Sequence, residues 1–172
     1  MKSTLFLLFS VVFLSLAFAQ EPPPKTFTRA DTLRGMLRPE RTCYKLNYEH
    51  LDVKIDPATQ FITGTNTMRF RMDSTYNRMQ VDLFANMKVD SIVLDGKTAV
   101  PYTREFNAVF LNLPSALEKG SMHEIAFAYS GAPQVAKRPP WDGGFTWRKD
   151  SVGNPWVCVT CQGTGASLWW PN

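Results

Sequence analysis

Apolar residues that recur at every second position, run after run, constrain this chain more than any other feature. Tyr44, Leu46 and Tyr48 alternate with polar neighbours, and Leu51, Val53 and Ile55 resume the alternation after a one-residue shift at Glu49-His50. A period of two marks a strand with one buried face, and the shift predicts a β-bulge there. Asp56-Pro57-Ala58-Thr59 supplies turn chemistry, with proline pre-set for the second turn position. A second strand is predicted over about Gln60 to Met72, with Met68, Phe70 and Met72 on one face and Thr67, Arg69 and Arg71 on the other. The two long strands then form a hairpin. Shorter strands are expected from Gln80 to Phe84, with Val81 and Leu83 facing together, and from Lys88 to Leu94. Asp95-Gly96 closes the latter with a strong hairpin signal. Thr98 to Thr103 returns as an edge or irregular strand because of Pro101. Ala108 to Leu113 is short and apolar, Leu117 to Gly120 turns the chain, and Ile125, Phe127 and Tyr129 alternate along a further strand. No segment after residue 40 sustains a helical period. The fold class is all-β, a mostly antiparallel sandwich or a curved open sheet.

The first residues address the compartment. Lys2, an apolar run from Leu5 to Leu16 broken only by Ser10 and Ser15, and Ala17-Phe18-Ala19 before Gln20 make the three parts of a secretory signal peptide over residues 1–19. The run is about a dozen residues, short of the roughly 20 of a spanning helix; a retained anchor helix is the alternative. The chain is therefore expected to be exported, to a periplasm or the extracellular space. Residues 20–43 form a leader. Pro22-Pro23-Pro24 is stiff and extended, and Thr28 to Leu37 has room for a short helical turn, so the leader is either an ordered wrap or a flexible linker. Residues 44–172 are the right length for one domain with a true core.

Charge excludes one class of partner. Of 19 Lys and Arg only Lys2 lies in the signal segment, leaving 18 against 15 Asp and Glu. So small an excess, scattered along the chain, is not a nucleic-acid footprint. The pairs Lys137-Arg138 and Arg148-Lys149 read as solvated loop charges. Three cysteines remain, Cys43, Cys158 and Cys161, an odd number for an exported protein. Cys158-Val159-Thr160-Cys161 has C-x-x-C spacing, but a structural zinc site needs two more ligands, and His50 and His123 are isolated. A redox motif of this type opens a helix, whereas this one lies in a β-rich run. Thiols buried in a strand are the expectation.

After Ser130 the texture changes. Pro133, Pro139-Pro140 and Gly143-Gly144 mark irregular chain, then Phe145-Thr146-Trp147 and Trp156-Val157-Cys158-Val159 flank a long hairpin loop. All five Trp residues, Trp141, Trp147, Trp156, Trp169 and Trp170, fall in this last stretch. Such a cluster suits a ligand wall or a domain interface, and equally a cap on one end of the sheet.

Three passages carry a family resemblance: Tyr48 through Gly64, then Pro139-Pro140-Trp141-Asp142-Gly143-Gly144-Phe145-Thr146-Trp147, then Cys161-Gln162-Gly163-Thr164-Gly165-Ala166-Ser167-Leu168-Trp169-Trp170-Pro171-Asn172. Together they resemble the amino-terminal domain of the aminopeptidase N family, the gluzincin zinc aminopeptidases, over about residues 44–172. The resemblance implies a saddle-shaped β-domain lying over a thermolysin-like catalytic domain that acts on peptide substrates. It also implies a role for Gln162, which matches a glutamine lining the pocket for the substrate's free amino terminus. A side-chain amide accepts from an ammonium through its oxygen, and Gly163 lets backbone approach a ligand closely. The alternative for Gln162 is a strand-end amide bonded to nearby backbone.

The family's zinc helix, His-Glu-x-x-His with a distant third Glu, is not in this sequence. Neither is the Gly-x-Met-Glu-Asn exopeptidase motif nor the catalytic tyrosine region. Zinc is thus expected in a catalytic domain outside this chain, with no cofactor in the chain itself. The family pattern runs on past Asn172, so a truncated product or a fragment, inactive alone, is the expectation. A free-standing exported module that binds peptides or carbohydrate on its Trp surface is the alternative. An autonomous hydrolase ranks below both, because Asp142 with Glu118, or Ser167 with His123, lack motif context.

Overall fold

The computed structural model describes residues 26–172; the expected signal peptide and the proline triplet lie outside the described residues. Two short helices come first. Helix α1 (Arg29–Gly35) opens on a capping box in which Thr28 accepts from the Asp31 backbone and Asp31 accepts from that of Thr28. Helix α2 (Pro39–Thr42) has proline in its first turn.

Ten strands follow: β1 (Tyr44–Asp56), β2 (Phe61–Met72), β3 (Tyr76–Asp82), β4 (Met87–Leu94), β5 (Thr98–Ala99), β6 (Tyr102–Glu105), β7 (Ala108–Leu117), β8 (Met122–Gly131), β9 (Gly144–Lys149) and β10 (Pro155–Thr160). Among the described residues they form three open antiparallel sheets: β1-β2-β8-β4-β5, β3-β7-β6, and the ribbon β10-β9. The architecture is the all-β one that the alternation predicts.

The faces of β2 and β8 also match, whereas in β1 Leu46, Tyr48 and Ile55 are exposed. Ile62, Met68, Phe70 and Met72 of β2 and Ile125, Phe127 and Tyr129 of β8 are buried, and pack with Met79, Val81, Leu83, Val109 and Leu111 from the three-stranded sheet. Each such side chain removed from water stabilises the fold by about 1.5–3 kcal/mol. Asp95 and Gly96 both have positive φ, 51° and 68°, the conformation that a two-residue turn matched to strand twist requires.

Several expectations are corrected. The bulge in β1 falls between Leu46 and Tyr48, not at Glu49-His50. Tyr48 faces outward, where the Arg69 guanidinium lies 5.3 Å from its ring centroid, while Glu49 accepts a bond of 2.9 Å from the buried Asn66 amide. An aromatic turned out and a carboxylate turned in hide the true point of the phase change. At Pro101 the chain leaves one sheet for another, so the expected single return strand is the pair β5 and β6. Strand β3 starts four residues early, and β7 runs on to Leu117 despite Pro114.

Of the two readings of the leader, its described part is an ordered wrap. Leu33 is 2% exposed and packs on Ala108 and Phe110. Its carbonyl accepts from Gln80 Nε2 at 3.0 Å and Arg41 Nη2 at 2.7 Å, and Arg41 also pairs with Asp82. Among the described residues no helix is long and apolar enough to cross a membrane.

Candidate functional site

The ribbon β9-β10 follows the two larger sheets in sequence and packs on their shared core. One of its faces carries Phe145, Trp147, Val157 and Val159 against the core. Phe145 stacks on Trp147 with centroids 5.1 Å apart and meets Trp169 edge-on at 5.7 Å; Trp169 and Trp170 cross at 4.5 Å. The other face carries Trp156, 60% exposed, near the loop end of the ribbon, while Trp141, 80% exposed, lies in the irregular segment before β9. The five indoles therefore divide, three half-buried on the core and two on the surface. The three on the core fit the reading of the cluster as a cap on the sheets.

After β10 the chain makes the turn that carries Gln162 and Gly163. The Cys161 carbonyl accepts from the N–H groups of Thr164 (3.1 Å) and Gly165 (3.0 Å). Gly163 has φ 67°, and its carbonyl accepts from Arg34 of α1. Thr164 is seated on Gly143 so closely that a Cβ built there would lie 2.0 Å from Thr164 Oγ1. Behind Gly143, Thr160 Oγ1 donates to the Asp142 carbonyl (2.7 Å), and the Asp142 carboxylate accepts from the backbone N–H groups of Lys137 (2.6 Å) and Arg138 (2.8 Å). Burial works to raise the Asp142 carboxyl, but those two N–H groups hold it below the usual range. Gln162 sits at the exposed tip and its side chain makes no hydrogen bond among the described residues. The arrangement is a held turn presenting one free amide, a group that can accept from an ammonium and donate to a carbonyl.

Beyond the turn, a single 3-10 turn (Ala166–Leu168) buries Leu168, and the end of the chain pairs with β3. Asp82 N–H donates to the Asn172 carbonyl at 2.8 Å, and Asn172 N–H returns to Asp82 at 3.1 Å. Asn66 Nδ2 reaches the Pro171 carbonyl at 2.8 Å.

The candidate hydrolytic pairs are not brought together. Ser167 lies by the leader helix, where its carbonyl accepts from Phe84 N–H, and Glu118 accepts from Thr75. His123 instead bridges Asp95 Oδ2 and Ser121 Oγ, both at 2.8 Å, a link the sequence reading missed. The Ser121 hydroxyl donates to the Glu118 carbonyl at 2.6 Å, so this chain of bonds pins a turn and does not direct a nucleophile at substrate. No group of three or more His, Cys, Asp or Glu gathers for a metal among the described residues. The thiols depart from expectation. Cys43 is buried, at the end of α2 and not in a strand, and burial pushes its thiol up to about 11. Cys158 is exposed because it falls on the solvent face of the ribbon, and Cys161 is half-buried in the turn beyond it.

No family model matches the sequence, and no curated protein does. Solved structures do match. A two-domain M1 zinc metallopeptidase variant bound to L-tryptophan is similar over 67% of this chain and 28% of its own, at 18% identity and a TM-score of 0.51. The M1 zinc metallopeptidase from Deinococcus radiodurans is similar over 65% of this chain and 27% of its own, at the same identity and TM-score. This chain has the fold of one part of those zinc metallopeptidases and spans less than a third of their length.

Proposed function

We propose that this chain is the amino-terminal, non-catalytic β-domain of an exported zinc metallo-aminopeptidase, and that Gln162 contacts the free amino terminus of the peptide substrate. The supporting observation is the partial match itself: two thirds of this chain corresponds to little more than a quarter of a zinc metallopeptidase. A catalytic domain of the thermolysin-like kind would supply the zinc, which activates water for attack on the peptide bond. This chain would supply the wall of the cleft. The Gln162 amide oxygen accepts from the substrate ammonium, and Gly163, with no side chain, leaves the approach open. Trp141 and Trp156, the two indoles left to solvent, suit surface covered by that second domain.

The test is kinetic, on the longer enzyme that contains this domain. Q162A should raise KM for peptides with a free amino terminus by about tenfold or more, with kcat little changed, because the contact is made in ground and transition states alike. An unchanged KM would remove Gln162 from the site. The exposed indoles also favour a second reading, a free-standing module that stacks peptide side chains or sugar rings on Trp141 and Trp156. It requires the chain by itself to quench tryptophan fluorescence saturably with a glycan or peptide, and W156A to abolish that response.

A further inference from the structure

The geometry points to Arg34 as a positioning residue for the Gln162 turn, which makes the leader segment part of the substrate-reading apparatus; the substrate part of this inference rests on the reading of Gln162 above. The turn is closed internally by two bonds that share one acceptor, the Cys161 carbonyl. Two contacts tie it to the rest of the molecule. On one side Thr164 abuts Gly143. On the other, the Arg34 guanidinium donates to the carbonyl of Gly163, the residue that follows Gln162, from a helix 129 residues away in sequence. The Gly163-Thr164 peptide, which begins one residue after Gln162, lies between these supports.

A tether is only as firm as its base, and the base of Arg34 is firm. Leu33, its neighbour, is sealed under the leader with its carbonyl doubly accepted. Arg29, one turn before, makes a two-bond pair with Glu105 at 2.8 and 2.9 Å. Arg41 closes the far side on Asp82. Helix α1 is thereby fixed to β3, β6 and β7, and Arg34 carries that fixity to the tip. A planar guanidinium with pre-set donors suits the task better than a flexible ammonium. An exposed charged bond of this kind adds little to global stability, so its effect is local: it sets where the Gln162 amide stands.

The experiment uses the full chain, labelled with nitrogen-15, as wild type, R34A and R34K. Hydrogen exchange at the Thr164 and Gly165 amides should quicken by about tenfold in R34A. R34K, which keeps one charged donor, should recover part of the loss, and the amides of β2 and β8 should exchange as in wild type. Unchanged exchange at Thr164 and Gly165 in R34A would overturn the proposal. So would an equal acceleration in β2 and β8, which would make Arg34 a general contributor to stability. The substrate reading fails separately. If R34A loosens the turn while Q162A leaves KM untouched in the longer enzyme, the tether stands and the role assigned to Gln162 falls.

Discussion

The contact between Gly143 and Thr164 holds because one of the two residues has no side chain. A methyl at Gly143 would stand 2.0 Å from Thr164 Oγ1 and 2.9 Å from its Cβ, so the threonine must leave its seat. G143A should lower stability by about 1–3 kcal/mol, the usual penalty for overpacking. Urea titration measures it, and shifted Thr164 and Gly165 amide resonances locate it; an unperturbed turn would contradict the contact. Asp142, next to it, gives a pH dependence. Its carboxyl is held below the usual range in the folded chain, so its stabilisation is complete above the unfolded value and is lost as pH falls through the folded one. Thermal melts of wild type and D142N should therefore be fully separated above the ordinary aspartate value of 3.8 and converge as pH falls well below it. Parallel curves would show that the N–H groups of Lys137 and Arg138 do not favour the charged form. Neither support of the turn is legible in the sequence. Gln162 was singled out by resemblance alone, while Gly143 and Arg34 meet the turn only through the fold.

Elements were legible wherever one face alone is buried. In β2 and β8 the alternation is clean because the core takes every second residue, and a slip of one would expose the whole set. It failed where polarity and facing part company, as at Tyr48 and Glu49, and in β7, whose far half carries Pro114 and Ser115 and exposes them. In sequence the leader reads equally as linker or wrap because its anchors, Leu33, Arg29 and Arg41, find their partners only across long separations. L33A should cost about 2–4 kcal/mol and open the Arg34 and Arg38 bonds to trypsin under native conditions, whereas a trypsin-resistant L33A chain would show that the wrap does not depend on that side chain. The ribbon has its own consequence for the thiols. Along nearly extended backbone Cys158 and Cys161 stand roughly 9–10 Å apart, beyond the roughly 7 Å limit for a disulfide. Titration with a thiol reagent should find Cys158 fast, Cys161 slower, and Cys43 only on unfolding. A disulfide between Cys158 and Cys161 in the native protein would contradict the strand geometry.

The molecule's described residues make a set of open sheets with a sealed core, a held turn after β10 and two exposed indoles. Nothing among its described residues assembles a metal site or directs a nucleophile, yet its fold recurs as a fraction of zinc metallopeptidases. The proposed role as a non-catalytic domain accounts for both facts. The fold class could be read from periodicity, but the proposed function rests on resemblance, because the sequence holds no motif for its zinc chemistry. The most direct measurement is the intact mass and zinc content of the native protein, captured from its source with an antibody against this domain. The account predicts a polypeptide several times the 19.5 kDa of this chain carrying about one zinc per molecule. A native species of 19.5 kDa or less, free of zinc, would contradict it.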